Sequence, residues 1–459
     1  MPATDVAQER VKAIYERETK RFHRDRPKSA ALLNRAKRHM PNGVPCAWME
    51  GLYFHQPIFA KRGEGACFWD ADDHKYLDMN QADLSMTCGY GPKALVEVMQ
   101  QRVADGSQFL LPVEDSIEVS AELANRYRLP YWQFTLSASS ANMEAIRIAR
   151  AIAKKEYILV FNGKYHGHID DTMGYQNSGG DSLGFTKDFS KKTINVDFND
   201  LAAVESALKD HPVACVLAEP ALTNIGVIKP EEGFFDALRK LCDQYQSLLI
   251  VDETHTQICA WGGLSRAWNI QCDMLTLGKT VAAGIPTGTY GMTKEIGEFV
   301  ASHLEAEDEL DSRSMNGGLA IGGTLYGNAL CMAATKVALN EILTPEAYEK
   351  SHILGNRLST GLQRLFDMYG LTWLAQHLMG RSGYTFGPEQ PSNASEFGRY
   401  SDPFLYNAMR AYYANRGVWE AISSAGPTVS FVMEASDIDF YLERVDEFLN
   451  ELTSSNNTV

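Results

Sequence analysis

The sequence of 459 residues predicts an α/β protein in which a large domain with a mostly parallel central sheet is joined to a smaller α+β domain. Two observations favour this fold class. From about residue 90 to residue 335, short apolar segments alternate with helical patterns, which is typical of parallel strands connected by helices. In the last part, helical patterns mix with apolar segments such as SGYTFG and TVSFVM, which we expect to be strands. We therefore expect a large domain at 71–335, a small domain at 336–459, and an N-terminal segment at 1–70 that contributes to the small domain.

Local sequence patterns predict the helices and strands that precede the large domain. Residues 1–40 have a polar, helical pattern that ends at the helix-breaking sequence of residues 41–43 (Pro-Asn-Gly). Residues 57–79 alternate apolar and polar side chains around two turn signals, at 63–65 and 70–73. This pattern predicts antiparallel strands joined by tight turns.

Six apolar segments predict the strands of the large domain, and two clear helical patterns lie among them, ANMEAIRIARAIAKK and GFFDALRKLCDQY. In chain order the segments are WQFTLS, YILVFN, VACVLAE, SLLIVDE, MLTLG and TGTYGM. The acidic sequence EAEDELD at 305–311 is typical of a solvated loop or helix face.

Composition and charge narrow the class of partner. The formal net charge is −15, from 43 basic and 58 acidic residues, which argues against nucleic acid or an anionic membrane as a partner. The eight cysteines are scattered without a CxxC pair, and several lie in apolar segments, which indicates free thiols in a reducing compartment. The N-terminal residues contain no apolar signal segment, and no stretch approaches the length of a membrane span. We expect a cytoplasmic protein that binds a small molecule.

Polar residues follow the predicted strands at the points where they end. Ligands of open α/β sheets bind beyond the carboxyl ends of the strands, so these residues are the candidates for a site. They are Ser137 to Ser140, Tyr165 and His166, Glu219, Asp252 and Lys279.

These residue types together indicate one cofactor. A lysine at a buried strand end can be held as a nucleophile, and a buried aspartate such as Asp252 needs a cation, for example a protonated pyridine nitrogen. Small hydroxyl residues at a helix start, Ser137 and Ser139, suit a phosphate, although they are also common as plain helix caps. Tyr165 has an aromatic face for a planar ring, with core packing as the alternative. Lys279, Asp252 and this phosphate cradle predict a site for pyridoxal 5′-phosphate (PLP).

The chain also resembles a known family. From about residue 30 to 450 it is similar to the class III aminotransferases, PLP enzymes of fold type I, in the branch that resembles glutamate-1-semialdehyde aminomutase. The ordered combination of motifs is specific, although no single motif is. The matching segments are GVPCAW, FWDADDHKYLDM, SASSAN, KYHGH, LAEPALTNIGV, LLIVDETHT, DMLTLGKT, AAGIPTGTYGM and GGTLYGNALCMAA.

The resemblance implies roles for individual residues. The catalytic pair is Lys279, which forms the Schiff base with PLP, and Asp252, which holds the ring nitrogen. A match to the threonine that contacts the neighbouring subunit's cofactor implies a homodimer with active sites shared at the interface. The other cofactor residues are the phosphate loop Ser137, Ala138 and Ser139, the ring-stacking Tyr165, Asn224 near the ring hydroxyl, the supporting acid Glu219, and Thr324 from the neighbouring subunit.

Three departures from the family pattern bear on the reaction. Ser140 stands where the phosphate loop usually has glutamate, and His255 stands where many members have glutamine or methionine. His255 either tunes the imine or is a satisfied structural histidine. The arginines that grip a substrate carboxylate are also missing, because Ser430 takes the C-terminal position and Trp48 the N-terminal one. Arg381 is a candidate replacement, with an exposed surface arginine as the alternative. Trp48, Tyr326 and Arg381 are the candidate substrate contacts.

The missing arginines favour a reaction that needs no keto acid. The segments GVPCAWM, DETHT and LAEPALTNIGV resemble those of a subgroup that includes an ammonia-lyase acting on (R)-1-hydroxy-2-aminoethylphosphonate. We therefore expect a PLP-dependent lyase that releases ammonia from a small vicinal amino alcohol by elimination of its hydroxyl, giving phosphonoacetaldehyde from that phosphonate. The alternatives are an ω-aminotransferase that passes the amino group to a keto acid, and an aminomutase.

Two further hypotheses lie outside this chemistry. A catalytically silent binding protein is disfavoured because Lys279 and Asp252 are both present. The segment HGHIDD contains His166, His168 and two aspartates and could be read as a zinc site, but no further ligand cluster with metal spacing accompanies it. We expect no metal.

Overall fold

The computed structural model describes residues 6–51, 55–173, 192–304, 319–420 and 426–454. Within these ranges the chain forms thirteen strands and sixteen α-helices. The strands are β1 Ala60–Glu64, β2 Cys67–Asp70, β3 Lys75–Asp78, β4 Tyr131–Thr135, β5 Tyr157–Phe161, β6 Thr193–Val196, β7 Val213–Ala218, β8 Leu248–Asp252, β9 Met274–Leu277, β10 Gly288–Met292, β11 Leu374–Leu378, β12 Arg381–Thr385 and β13 Val418–Trp419.

The helices surround and connect these strands. In chain order they are α1 Gln8–Arg24, α2 Pro27–Ala36, α3 Ala47–Gly51, α4 Lys93–Asp105, α5 Glu114–Tyr127, α6 Ala138–Ala153, α7 Asp170–Met173, α8 Leu201–Asp210, α9 Phe234–Gln244, α10 Gly263–Ala267, α11 Lys294–Leu304, α12 Ala329–Val337, α13 Pro345–Met368, α14 Ala394–Arg399, α15 Pro403–Ala414 and α16 Ala435–Thr453.

A seven-stranded sheet forms the centre of the large domain, in the order β4-β10-β9-β8-β7-β5-β6. Strand β10 is antiparallel to both of its neighbours, and the remaining pairs are parallel. The mostly parallel α/β sheet predicted from the sequence is therefore confirmed. Each of the six predicted segments is a strand of this sheet, and the prediction missed only β6.

Burial on both faces explains why these segments are continuously apolar. Successive residues of a strand point to opposite faces, and helices cover both sides of a parallel sheet. In β5, Leu159 and Phe161 pack into one core cluster, whereas Ile158 and Val160 pack into another on the other face. All four side chains are fully buried.

A second sheet joins the two ends of the chain. Strands β1, β2 and β3 form antiparallel pairs, as the hairpin pattern predicted, and β13 pairs in parallel with β3. Helix α1 packs its buried Val11 and Ile14 into the same apolar core as residues of α13, α15 and α16. The domain boundaries at 70/71 and 335/336 stay a prediction.

The structure differs from the predicted secondary structure in two places. The N-terminal helical pattern is two helices, α1 and α2, because Pro27 starts a new helix. The segment TVSFVM is not a regular strand, since it has only one bridge, between Thr428 and Arg381. The acidic segment 305–311 lies outside the described residues. None of the helices in the described part of the chain is long and apolar enough to cross a membrane.

Candidate functional site

Lys279 enters the site directly after β9, through a glycine that allows a close approach. A Cβ atom at Gly278 would lie 2.8 Å from Cβ of Ala138, the first residue of α6, so a larger residue would push the strand end away from the helix start. Lys279 follows with a left-handed φ of 48° and begins a short 3₁₀ turn. This backbone brings the lysine next to the first turn of α6.

Asp252 ends the neighbouring strand β8 and is almost fully buried. Its Oδ2 accepts hydrogen bonds from Nδ1 of His166 (2.8 Å) and Nδ2 of Asn142 (2.8 Å), and its Oδ1 accepts one from the Thr254 N–H (3.0 Å). Burial alone would raise the pKa of Asp252, but His166 and the other two donors more than offset it and hold the pKa at about 2. Asp252 is therefore a buried carboxylate that stays ionised.

The donors around Asp252 are themselves fixed. His166 is fully buried, which lowers the pKa of its imidazole, so the neutral ring donates from Nδ1 to the carboxylate. The Asn142 side chain accepts a hydrogen bond from Oγ1 of Thr276 at 2.7 Å, which orients its amide toward Asp252. Sequence reasoning missed both roles, although the position of His166 next to Tyr165 in the KYHGH motif was a usable signal.

The start of α6 contains the residues that were predicted to bind a phosphate. Oγ of Ser137 accepts a hydrogen bond from the Ser140 N–H at 3.2 Å, so Ser137 is the helix cap that the alternative interpretation described. Ala138 and Ser139 are the first two helical residues, whose N–H groups precede any intrahelical acceptor and suit an anion. Oγ of Ser139 accepts from the His168 N–H at 3.1 Å. The capping role and an anion cradle are compatible at this turn.

Glu219 supports Tyr165 from outside the cavity. The Tyr165 N–H donates to Oε1 of Glu219 at 2.9 Å. Burial raises the pKa of this carboxyl to about 8, and the nearby charge of Asp252 acts in the same direction. Tyr165 itself is half-buried and lines the cavity.

Unpartnered polar atoms at the cavity wall fit a bound polar group. Nδ1 of His255 contacts Oγ1 of Thr223 at 3.2 Å, and its Nε2 is buried without a hydrogen-bond partner among the described residues. Oγ1 of Thr287 is likewise buried without a hydrogen-bond partner among the described residues. Burial, followed by the charge of Lys279, lowers the pKa of His255 to about 3, so the ring is neutral. Buried polar atoms are rarely left without a partner, and a ligand with hydrogen-bonding oxygens would satisfy both.

These side chains surround a cavity of about 270 Å³. Among the described residues that line it, Lys279 is the only lysine or arginine. A larger apolar cavity of about 650 Å³ lies next to it and shares Trp48 and Asp83 as lining residues. The predicted site residues that line the inner cavity are Trp48, Ser137, Ala138, Ser139, Tyr165, Asp252, His255 and Lys279.

Asp83 is a cavity residue that sequence reasoning missed. Its carboxylate forms an ion pair with Nζ of Lys279. The residue lies in a run of four left-handed, non-glycine residues, Gln81 to Leu84, with φ between 48° and 66°. A left-handed conformation costs about 1–2 kcal/mol per residue with a Cβ atom, so this turn is held by other contacts.

Asp78 provides these contacts. Its Oδ1 accepts from the N–H groups of Asn80 (2.9 Å) and Gln81 (2.7 Å), and its Oδ2 accepts from the Ala82 N–H (3.2 Å) and the Tyr90 hydroxyl (2.7 Å). One buried carboxylate therefore satisfies three successive backbone donors, the N–H of Asn80 and those of the first two residues of the left-handed turn.

Besides Glu219, four predicted residues do not line the inner cavity. Asn224 is half-buried outside it. Thr324 is exposed in the single chain, and Tyr326 lines a separate surface depression. Arg381 is not a surface residue, because only 1% of it is exposed.

The guanidinium of Arg381 is engaged by the protein itself. It donates to the Gly426 carbonyl (3.2 Å), the Thr223 carbonyl (2.7 Å) and Oγ1 of Thr428. The residue therefore braces loops behind His255. Ser430, which was predicted to stand in place of a C-terminal arginine, is buried.

The HGHIDD segment has other partners. Nδ1 of His166 is bonded to Asp252, and Asp171 forms an ion pair with Arg150. In the ranges that the structure describes, no group of three or more histidine, cysteine, aspartate or glutamate side chains is placed to hold a metal ion.

Comparisons with known proteins show which family the chain resembles. The family model described as Aminotransferase class-III matches residues 52–442. A glutamate-1-semialdehyde 2,1-aminomutase from Gemmatimonas aurantiaca is 30% identical over 435 residues, which cover 92% of this chain and 96% of that protein.

Solved structures of aminomutases are also similar to this chain. A glutamate-1-semialdehyde-aminomutase from Pseudomonas aeruginosa PAO1 superimposes with a TM-score of 0.90 at 31% identity, covering 97% of this chain and 99% of that one. A second structure from that organism, of a lysine-to-alanine aminomutase variant in complex with PMP, matches with the same TM-score, identity and coverage.

Proposed function

The chain belongs to the class III aminotransferase family, and from this premise we propose that it uses PLP to move the amino group of a small primary amine, in a reaction of the aminotransferase or aminomutase type. The family match confirms the predicted class III aminotransferase family. Together with the similar solved structures, it also confirms fold type I and the PLP cofactor. The observation that carries the proposal is the placement of a lysine amine, Lys279, in the same cavity as an ionised buried carboxylate, Asp252.

The residues of the cavity fit this cofactor. Asp252 would hold the ring nitrogen in its protonated form, because its pKa of about 2 keeps it negative. The first turn of α6, with Ser137 to Ser139, would bind the phosphate, and the free Nε2 of His255 would meet a polar ring substituent. Bound PLP supplies an electron sink for the electrons released at the carbon beside the amine.

Lys279 carries the proton transfer in this proposal. Its amine lies at the cavity wall, where it would remove a proton from the carbon that bears the substrate nitrogen and return a proton to the product. Tyr165 would cover the ring face, and the backbone bond from Tyr165 to Glu219 would hold that side chain in place. Both relatives that support an aminomutase-type reaction are at least 30% identical to this chain.

A second candidate is an ammonia-lyase that acts on a vicinal amino alcohol. The observation in its favour is that no arginine is among the described residues lining the inner cavity, and that both terminal nitrogens of Arg381 are bonded to other protein groups. A keto acid would therefore lack its usual bidentate partner in this part of the chain. The predicted phosphonate substrate stays a prediction.

A spectroscopic experiment tests the common part of both candidates. The purified protein should show the visible absorption of bound PLP and lose it on borohydride reduction, which fixes the cofactor to a lysine. Lys279→Ala should abolish the reducible band, whereas Lys294→Ala, an exposed lysine on α11, should keep it. A reducible band that survived in Lys279→Ala would disprove the assignment.

A stoichiometric assay separates the two reactions. Candidate amines are mixed with the holoprotein without a keto acid, and ammonia is measured per bound PLP. Amino-group transfer should give loss of the visible band and no catalytic ammonia, with the band restored only when a keto acid is added to accept the amino group. An aminomutase should isomerise its substrate without releasing ammonia. Many equivalents of ammonia with recovery of the band would establish the lyase instead.

The same family membership leads us to propose a homodimer. The single chain exposes a group of large apolar side chains around the Thr324 loop, which monomers rarely do over a contiguous area. The site expected for the neighbouring subunit's cofactor lies in the same region. The exposed residues are Phe109, Leu110, Leu111, Ile117 and Leu325.

A further inference from the structure

The inner cavity contains a second carboxylate besides that of Asp252. It belongs to Asp83 and faces Lys279. Its Oδ2 pairs with Nζ of Lys279, and about a fifth of the Asp83 side chain (22%) remains exposed to the cavity side. The other carboxylate of the cavity, Asp252, is 2% exposed and surrounded by three donors. Asp83 is therefore the acid that a molecule entering the cavity can contact.

Asp83 is placed there by its backbone rather than by its own side-chain bonds. The left-handed turn is held by Asp78 and by the Asn80 side chain, which accepts from the Asp83 N–H at 3.0 Å. Nε2 of Gln81 anchors the turn to the Thr428 carbonyl at 2.5 Å. The Asp83 carboxylate takes no part in these bonds, so its ion pair with Lys279 is separate from the contacts that hold the turn.

The charges around Asp83 keep it negative. Burial acts to raise the pKa of this carboxyl, but the positive charge of Lys279, with a smaller effect of Arg381, more than offsets burial and lowers the pKa. A negative group in a small cavity repels an anion and accepts hydrogen bonds from N–H or O–H donors.

We propose that Asp83 is a specificity-determining residue that selects amines with a hydrogen-bond donor close to the reacting carbon and excludes amines with an anionic group at that position. This inference rests on the proposed function, because it takes Lys279 as the group that meets the substrate amine. Vicinal amino alcohols and short diamines fit the requirement. A carboxylate two carbons from the amine does not, so an anionic substrate would have to direct its charge away from Asp83.

Asp83 and Trp48 also lie at the boundary between the two cavities. The outer cavity is the larger and contains mainly apolar side chains such as Phe59, Phe68 and Trp419. A substrate reaching Lys279 from that side would pass the Asp83 carboxylate first. The selection would then act on entry as well as on binding.

The test compares Asp83→Asn with the wild type in the holoprotein. Asparagine keeps the size and one acceptor oxygen but removes the charge. The first readout is the pH titration of the visible cofactor band, whose midpoint should fall by about one pH unit or more in the variant, because an opposite charge at contact distance shifts a pKa by about 1–3 units. The matched control is Glu97→Gln, an exposed acid on α4, which should leave the midpoint unchanged.

The second readout is selectivity. Dissociation constants of 2-aminoethanol and 3-aminopropanoate are obtained from the perturbation of the band immediately after mixing. The wild type should prefer the amino alcohol, and Asp83→Asn should reduce the ratio of the two constants at least about tenfold, since like-charge contacts are strongly unfavourable. An unchanged midpoint or an unchanged ratio would overturn the proposal. If the wild type turned over no amine, the proposed function would fail, but both readouts would still decide the role of Asp83.

Discussion

Nδ1 of His166 lies 2.8 Å from Oδ2 of Asp252, and both side chains are almost completely buried. A neutral imidazole therefore supports a carboxylate that is almost completely shielded from bulk water. This arrangement keeps Asp252 negative without a full positive charge next to it, so the charge is available for a cation bound in the cavity.

Removing this donor should weaken binding of the cofactor. In His166→Phe, Asp252 loses its strongest stabilising contact, and its pKa should rise from about 2 toward its ordinary value of 3.8. A hydrogen bond to a charged group is worth about 1.5–3 kcal/mol, so PLP affinity should fall on the order of tenfold or more. Equilibrium dialysis measures the change. His166→Asn, which places an amide donor at a similar position, should retain most of the affinity, and equal losses in both variants would contradict this role.

The left-handed turn at Gln81 to Leu84 should depend on Asp78. Asp78→Asn would direct an amide toward backbone donors that now bind a carboxylate, and unsatisfied buried donors cost about 1–3 kcal/mol each. We expect a clear fall in the thermal unfolding temperature. Tyr90→Phe removes only one hydroxyl donor from the same carboxylate, so it should lower that temperature much less. Similar effects of the two changes would show that the backbone bonds do not hold the turn.

The small domain contains a carboxyl group that should make stability depend on pH. Glu420 accepts hydrogen bonds from the hydroxyls of Tyr384 (2.7 Å) and Tyr441 (2.8 Å). Burial raises its pKa to about 7, although the two hydroxyls and Arg410 partly offset the effect. The folded protein then holds a proton that the unfolded chain releases above its ordinary pKa of 4.5. This contribution is complete below pH 4.5 and is lost as the pH rises to about 7, on the order of 3 kcal/mol at most.

Glu420→Gln should remove this dependence. Relative to the wild type, the unfolding temperature of the variant should improve as the pH is raised from 5 to 8. The exposed acid Glu443 on α16 supplies the control, since Glu443→Gln should run parallel to the wild type. If the unfolding temperature of Glu420→Gln also ran parallel to that of the wild type, Glu420 would be ionised across this whole pH range.

The proposed dimer should depend on the exposed apolar group near Thr324. Leu111 is 70% exposed in the single chain, and Leu111→Asp should place a charge in an interface that normally excludes it. Sedimentation should then show a shift from dimer to monomer. Ile353, which is 64% exposed on α13, provides the matched change, and Ile353→Asp should leave the dimer intact. A wild-type protein that sediments as a monomer would disprove the dimer.

The sequence predicted the central sheet because strands such as β5, β7 and β8 are buried on both faces, and the apolar pattern is then unambiguous. It also placed Asp252 and Lys279 after the carboxyl ends of two strands of one sheet, and the structure shows that these two strands are neighbours. The short β6, with the sequence TINV, was missed because only two of its residues are apolar. The segment TVSFVM was predicted as a strand from its apolar pattern. Its N–H groups instead bond to three different segments, through the carbonyls of Met79, Gly380 and Thr87.

The contribution of Asp83 could not be predicted from the sequence. It lies 196 residues from Lys279, and the sequence NQADL has no glycine to signal a left-handed turn. The conformation depends on Asp78 accepting three backbone donors, which is a tertiary arrangement rather than a local propensity. The same applies to Arg381, whose burial depends on carbonyl groups of two distant loops.

One side of the cavity is formed by residues that follow strands of the central sheet, and another side is formed by the left-handed turn. These two parts of the fold should differ in their resistance to local unfolding. Asp252 and Lys279 extend from adjacent hydrogen-bonded strands, whose amides should exchange with deuterium only on global unfolding. Asp83 belongs to a turn whose order depends largely on one carboxylate, and its amides should exchange through local opening. Mild denaturant should therefore abolish discrimination between amines at concentrations where the protein is still coloured by its cofactor.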